Sequence, residues 1–252
     1  MDEHASESAW VGTADLISET AFASNYASLW RTLTPLMDHF VRRMNLDGYE
    51  RDFIPLKTTS DAEQRGIIND AATRLYGRAV AKAKVGEKAS NDDLDACILE
   101  AALYVRGKDP DVEPVSLGRE ERKEVLELSK RIERWFATEI KSIKQITVSP
   151  RFLGSGIIAA CNGDFSTPHA IIEIKAGDRM FRSADYRQVA IYVALKFAET
   201  RKVFKKLVLV NPRVGVSVSI STDSFAREVA GQSSIELCTA LLAEFGGALV
   251  SP

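Results

Sequence analysis

Two carboxylates and a lysine interrupt an otherwise apolar stretch. Asp164 lies in GDFSTP, and nine positions later comes Glu173, followed by Ile174 and Lys175 in AIIEIKAG. Side chains alternate along a strand, so Glu173 and Lys175 share one face while Ile172 and Ile174 take the other. If the segment around Asp164 pairs with this strand as a hairpin, its carboxylate arrives beside that of Glu173. Two anions about 4 Å apart repel by roughly 1 kcal/mol in water and about 4 kcal/mol at an effective dielectric near 20. Such a pair calls for a cation, and a divalent metal is the natural one. A metal held there makes water more acidic, orients it for in-line attack and neutralises charge on phosphorus, while a neighbouring lysine positions that water and offsets phosphate charge. Phosphodiester hydrolysis is therefore the chemistry this set can perform. The same spacing also arises by chance, and Glu and Lys two apart on a strand are ordinary exposed partners.

The elements that must hold these residues follow from hydrophobic period. Apolar residues recur at three- and four-residue steps over 13–45, a helix broken near Pro35, and again over 61–84. A third helix, 91–105, opens on a capping Asn or Asp. The chain's first hundred residues thus predict an all-helical N-terminal domain. GKDPDVEPVSLG, residues 107–118, has the prolines, glycines and acids of a connector, which places a boundary between domains 1–115 and 116–252. Beyond it, 119–143 is a charged amphipathic helix, and short β-branched segments punctuated by Gly, Pro and Asn predict strands. SADYRQVAIYVALKFAET, 183–200, is apolar nearly all round and should be a buried helix; LVLV (207–210) reads as a central strand, and 214–221 as a half-exposed one. A last helix runs over 234–245 and stops at Gly246 and Gly247. The fold class is α/β.

Composition narrows the function classes. With 45% hydrophobic and 27% charged residues and no apolar run near the ~20 needed to span a bilayer, the chain reads as globular, without membrane partners. The acidic, polar start MDEHASESAW lacks the pattern of a secretion signal, so a cytoplasmic location is expected. Cys97, Cys161 and Cys238 are far apart, as are His4, His39 and His169, so a metal would be held by carboxylates, which suits Mg²⁺ or Mn²⁺. The net charge of −2 hides an uneven distribution: residues 1–118 carry 13 basic and 20 acidic side chains, 119–213 carry 19 and 11, and 214–252 carry 1 and 4. The basic middle makes a polyanion such as DNA a credible partner, because attraction follows the local field.

GDFSTPHAIIEIKAG followed by SADYRQVAIYVAL resembles the core of the PD-(D/E)XK nuclease superfamily, in particular the RecB-like branch that adds a Q-x-x-x-Y helix. Gln188 and Tyr192 fit that helix, and at i and i+4 they share one face. The resemblance covers roughly residues 125–215, and Gly163 stands where the family often has proline. It implies a restriction-endonuclease-like mixed sheet flanked by helices, with an α-β-β-β-α-β core. It further implies that Asp164 and Glu173 ligate Mg²⁺ or Mn²⁺ with the backbone carbonyl of Ile174. Lys175 would handle water and phosphate, and Gln188 and Tyr192 would line the site. A glutamate on the first helix of the core would assist, for which Glu133 is the candidate and Glu139 the reserve; Arg182 and Arg187 would reach DNA phosphates. The activity implied is that of a metal-dependent deoxyribonuclease, with roles in restriction, phage defence or repair. A non-catalytic nucleic-acid-binding or assembly subunit is the alternative, and an RNA-directed nuclease ranks third. The N-terminal helices are expected to mediate homodimerisation or docking to an ATPase or helicase subunit.

Overall fold

A computed structural model describes residues 16–57, 60–108 and 117–247. The described elements run α1 (Glu19–Asn25), α2 (Ala27–Leu33), α3 (Met37–Leu46), β1 (Glu50–Arg51), α4 (Ala62–Lys84), α5 (Asn91–Lys108) and α6 (Arg119–Glu139). The strands β2 (Thr147–Val148), β3 (Arg151–Phe152), β4 (Cys161–Asn162), β5 (Phe165–Ser166) and β6 (Ala170–Ile174) follow, then α7 (Ser183–Thr200), β7 (Lys206–Asn211), β8 (Val216–Ser221), α8 (Thr222–Ala230) and α9 (Ser234–Gly247). Pro35 separates α2 from α3, because the residue before a proline is disfavoured in helical geometry. Helix α5 is capped one residue earlier than expected: the Ser90 hydroxyl accepts from the Asp93 N–H at 3.3 Å while Asp93 accepts from the Ser90 N–H at 2.7 Å. Helix α8 is absent from the sequence reading, although Ser221 caps it and Phe225, Ala226 and Val229 fall on one stripe.

Six strands form one mixed sheet in the order β1-β8-β7-β6-β5-β2, and β3 pairs with β4 separately. Only β6 and β7 are parallel within it, joined by α7. Side chains alternating along β6 and β7 serve two cores. Ile171, Leu207 and Leu209 meet Val189 and Tyr192 of α7, with Phe22, Trp30, Phe40 and Phe245 beyond. Ile172, Ile174, Val208 and Val210 meet Tyr76 and Val80 of α4 and Ile132, Trp135 and Phe136 of α6. Each such apolar side chain contributes about 1.5–3 kcal/mol on burial, which is why these strands read as continuous apolar runs. Gly77 lets α4 approach the sheet, since a Cβ there would meet Val148 at 2.8 Å. Gly215, at φ +80, turns β7 into β8 where a Cβ would lie 2.2 Å from the Phe53 carbonyl oxygen.

Packing crosses the expected boundary between the domains. The proposed boundary falls within 109–116, outside the described residues, but the elements on either side share cores. Phe22, Trp30, Met37 and Phe40 are buried with α7 and α9, α4 packs on α6, and β1 extends the main sheet beside β8. A third cluster lies chiefly between α4 and α5, with Ile67, Ala71, Leu94 and Cys97, and is closed by Val125 and Leu128 of α6.

Candidate active site

The hairpin expected at Asp164 forms. Strand β5 pairs antiparallel with β6 in the register Phe165↔Ile172 and Ser166↔Ile171, so the next step brings Asp164 opposite Glu173. Three backbone contacts fix the turn. Ser149, in the left-handed region at φ 49, donates its N–H to the Asp164 carbonyl at 2.9 Å; Gly163 donates to the Pro150 carbonyl at 3.0 Å; and the Ile174 N–H donates to Asp164 Oδ2 at 2.7 Å. The last bond ties the aspartate to the end of β6, one residue from each of the other charges.

Lys175 donates from Nζ to Glu173 Oε1 at 2.8 Å and to Gln188 Oε1 at 2.6 Å. Gln188 in turn donates to the Tyr192 hydroxyl at 2.8 Å. A mostly apolar helix thus carries Gln and Tyr on the stripe facing β6, and both are spent on the cluster. Glu173 is 5% exposed, and its second oxygen, Oε2, is buried without a hydrogen-bond partner. An unsatisfied buried carboxylate oxygen costs several kcal/mol unless something else neutralises it.

Two acids that the sequence did not single out also approach. Glu19, at the start of α1, has its Oε1 3.3 Å from both Gln188 Nε2 and the Tyr192 hydroxyl. Asp70, on α4, lines a cavity of about 190 Å³ with Asn69, Thr73, Asp164, Glu173 and Ile174. Neither residue shares a motif with Asp164. Their signal would have been the buried Gln188 and Tyr192, which need polar partners from elsewhere in the chain.

The electrostatics show negative charge in excess. Burial, then the neighbouring Glu173, hold the Asp164 carboxyl well above the usual carboxylate range, with Asp70 adding to the rise. Burial disfavours the charged form of Lys175, yet Glu173 and Asp164 outweigh it and hold the ammonium above its ordinary value. Burial, with Glu19 and Glu173, pushes the Cys161 thiol up to about 12, and the Tyr192 phenol is raised by burial, Glu173 and Glu19. One ammonium does not balance the carboxylates that converge on it.

This arrangement fits a hard cation. Glu173 Oε2 has no partner and Asp164 lies opposite; Mg²⁺ commonly takes one or two carboxylates and fills its remaining positions with water and phosphate. Among the described residues no three His, Cys, Asp or Glu side chains already stand close enough to form a ligand set by themselves.

Other expected residues lie elsewhere. Glu133 is exposed on α6, beside Tyr76 along a different groove, and Glu139 is exposed nearer Asp52, so neither joins the cluster. The charged stripe of α6 faces solvent while its apolar stripe faces the sheet, which turns Glu133 away. Arg187 stacks over the Trp30 ring at 5.4 Å and donates to the Ala23 carbonyl at 3.4 Å, so it braces α7 against α1 and α2. Arg182 is exposed at the start of α7. Compared with known proteins, the chain matches no family model and no curated protein. Among the described residues no helix is long and apolar enough to cross a membrane.

Proposed function

We propose that this protein is a divalent-metal-dependent nuclease that hydrolyses DNA phosphodiester bonds, built on a restriction-endonuclease-like core. The observation that carries the reading is the register that sets Asp164 opposite Glu173 with Lys175 alongside, together with the buried, unpartnered Glu173 Oε2. Support for the core comes from the run β2, β5, β6, α7, β7, β8 in one mixed sheet, in which α7 bridges the parallel pair.

Asp164, Glu173 and the Ile174 carbonyl would hold Mg²⁺ or Mn²⁺. When bound, the ion supplies a more acidic water and charge neutralisation at phosphorus. Lys175 has three donors, of which two are committed to Glu173 and Gln188, leaving one for the attacking water or a phosphate oxygen. Gln188 holds the ammonium against β6, and Tyr192 holds Gln188. The Ile174 N–H fixes one Asp164 oxygen and leaves the other for a ligand. The basic surplus of residues 119–213 supports a polyanionic substrate.

Incubation of the full chain with linear, circular and single-stranded DNA and Mg²⁺ tests the assignment. Asp164→Ala and Lys175→Ala are expected to lower cleavage by roughly 10²–10⁴-fold. Equal cleavage by wild type and Lys175→Ala would remove it, and DNA binding without hydrolysis under any divalent metal would favour a non-catalytic subunit.

A further inference from the structure

A groove of about 420 Å³ adjoins the candidate site and has no part in the proposed chemistry. It runs between α4, α5 and the 148–149 and 162–165 turns, and Asp164 lines both this groove and the small cavity beside Glu173. Helices α4 and α5 lie outside the 125–215 stretch that resembles the nuclease core. Two arginines of α4, Arg74 and Arg78, line the groove one helical turn apart. Their edges are turned to acids. Arg74 Nε donates to Asp70 Oδ2 at 2.6 Å and its Nη1 lies 3.7 Å from Glu100, while Arg78 Nη2 donates to Glu100 and its Nη1 lies 3.6 Å from Asp93. Asp70, Glu100 and Asp164 all line the groove, so its three acids exceed its two arginines and a bare phosphate gains little there. What Arg74 has left to offer is its plane. The guanidinium carbon sits 5.4 Å over the Tyr104 ring, which backs one face, and the side chain is 33% exposed.

From these placements we infer that the groove is a nucleobase subsite, in which a base next to the scissile phosphate stacks on the Arg74 guanidinium, and that the substrate is unpaired at that base. The inference rests on the proposed nuclease reading and adds to it the substrate class. A guanidinium is planar, delocalised and weakly hydrated, so one whose edge is held by carboxylates keeps a face for stacking. Single strands are commonly held by stacking bases on arginine planes and aromatic rings, at roughly tenfold in affinity per base. A base is also neutral, which suits a lining whose acids already hold the cations. The Asn162 amide, at the exposed rim, offers a donor and an acceptor to a base edge. The groove volume falls within the roughly 300–1,000 Å³ usual for small-ligand sites. Because a duplex keeps its bases stacked on one another and paired, a base reaches Arg74 only where the strand is open. Asp164, shared by the two cavities, sets that base beside the phosphate to be cut.

The test uses the full chain with Ca²⁺ in place of Mg²⁺ and follows three fluorescein-labelled probes by anisotropy: a short oligothymidylate, an abasic strand of equal length, and a blunt hairpin duplex. Wild type should bind the oligothymidylate about tenfold more tightly than the abasic strand, and more tightly than the hairpin. Arg74→Lys keeps the charge and loses the plane, so it should bind oligothymidylate and abasic strand alike. Its affinity for the abasic strand should equal that of wild type, which also shows that the variant is folded. The salt dependence of binding should be the same for both proteins, since no phosphate contact is removed. A wild type that does not distinguish the oligothymidylate from the abasic strand or from the hairpin, or an Arg74→Lys that keeps the full preference, overturns the subsite. Cleavage with Mg²⁺ separates this outcome from failure of the nuclease reading. Cleavage by a wild type without base preference leaves the nuclease and removes the subsite; a base preference that Arg74→Lys abolishes, in a wild type that cuts no strand, supports the subsite and removes the nuclease. No binding of any probe by wild type overturns both.

Discussion

Two clusters of charge lie within a few residues of one another on the same pair of segments, and they are built in opposite ways. Around Arg213, which is 2% exposed, every charge is answered: the guanidinium donates to Glu124, to the Ala176 carbonyl at 2.7 Å and to Asn69 Oδ1 at 2.7 Å, while Glu124 also accepts from Ser60 at 3.1 Å. Around Lys175 the carboxylates outnumber the cation, Glu173 Oε2 has no partner, and Asp164 is pushed well above the usual carboxylate range by burial and Glu173. Asn69 is next to Asp70 and Ala176 is next to Lys175. The saturated network therefore clamps α4 to the end of β6, and the same clamp sets the unsaturated cluster in place. The closed network serves as scaffold, and the open one leaves a buried carboxylate oxygen unanswered, the pattern that marks a candidate functional site.

The largest effect should come from breaking the closed network. Arg213→Ala leaves Glu124 buried without its cation and frees two further acceptors, a loss of about 3–5 kcal/mol by urea denaturation. Replacing both partners together, as Arg213→Met with Glu124→Leu, should recover most of that, because an apolar pair of similar volume leaves no uncompensated charge. A loss below about 1 kcal/mol for Arg213→Ala would erase the contrast between the clusters. The open cluster should respond with the other sign. In chelator, Asp164→Asn relieves repulsion with Glu173 while its side-chain oxygen still accepts from the Ile174 N–H, and a gain of about 0.5–2 kcal/mol is expected. Excess Mg²⁺ should then raise the stability of wild type alone and reverse the order. Destabilisation of the metal-free protein by Asp164→Asn would show that this carboxylate is already compensated.

How far the sequence carried the argument depended on whether a signal was local. Helices α4 and α7 and strand β6 were legible because hydrophobic period and caps are written within a few residues, and the meeting of Asp164 with Glu173 followed from strand alternation and a short turn. The choice of Gln188 and Tyr192 was legible as polar residues on a buried helix; their partners Glu19 and Thr20 were not, being about 170 positions away. Asp70 was hidden for the same reason, sitting at an ordinary i,i+4 spacing from Arg74 on a helix assigned to another domain. The proline- and glycine-containing segment 107–118 suggested a division, but composition reports a connector and not which surfaces pack across it. Glu133 failed because a charged residue on an amphipathic helix faces solvent unless tertiary packing turns it inward.

The smallest expected effect, and the one most specific to the open cluster, is a pH dependence of reversed sign. An ion-paired carboxylate is depressed on folding and loses its contribution as pH falls. Asp164 is instead raised above its unfolded value of about 3.9, so the folded chain binds the extra proton. The metal-free protein should therefore gain stability as pH falls from the folded value toward about 4, by at most 1.4 kcal/mol per pH unit. Lys175 does not interfere: its raised ammonium contributes fully below about pH 10.4 and is lost only as pH rises through the folded value. Subtracting the Asp164→Asn profile removes the titrating groups that do not interact with Asp164. In chelator, the difference between wild type and Asp164→Asn should narrow as pH falls from the folded value toward about 4, as protonation relieves in wild type the repulsion that the amide removes permanently. Saturating Mg²⁺ should abolish that trend, since a bound cation keeps the carboxylate ionised. Parallel melting profiles in chelator would mean that Asp164 and Glu173 do not share a field, and the cation between them would lose its reason to be there.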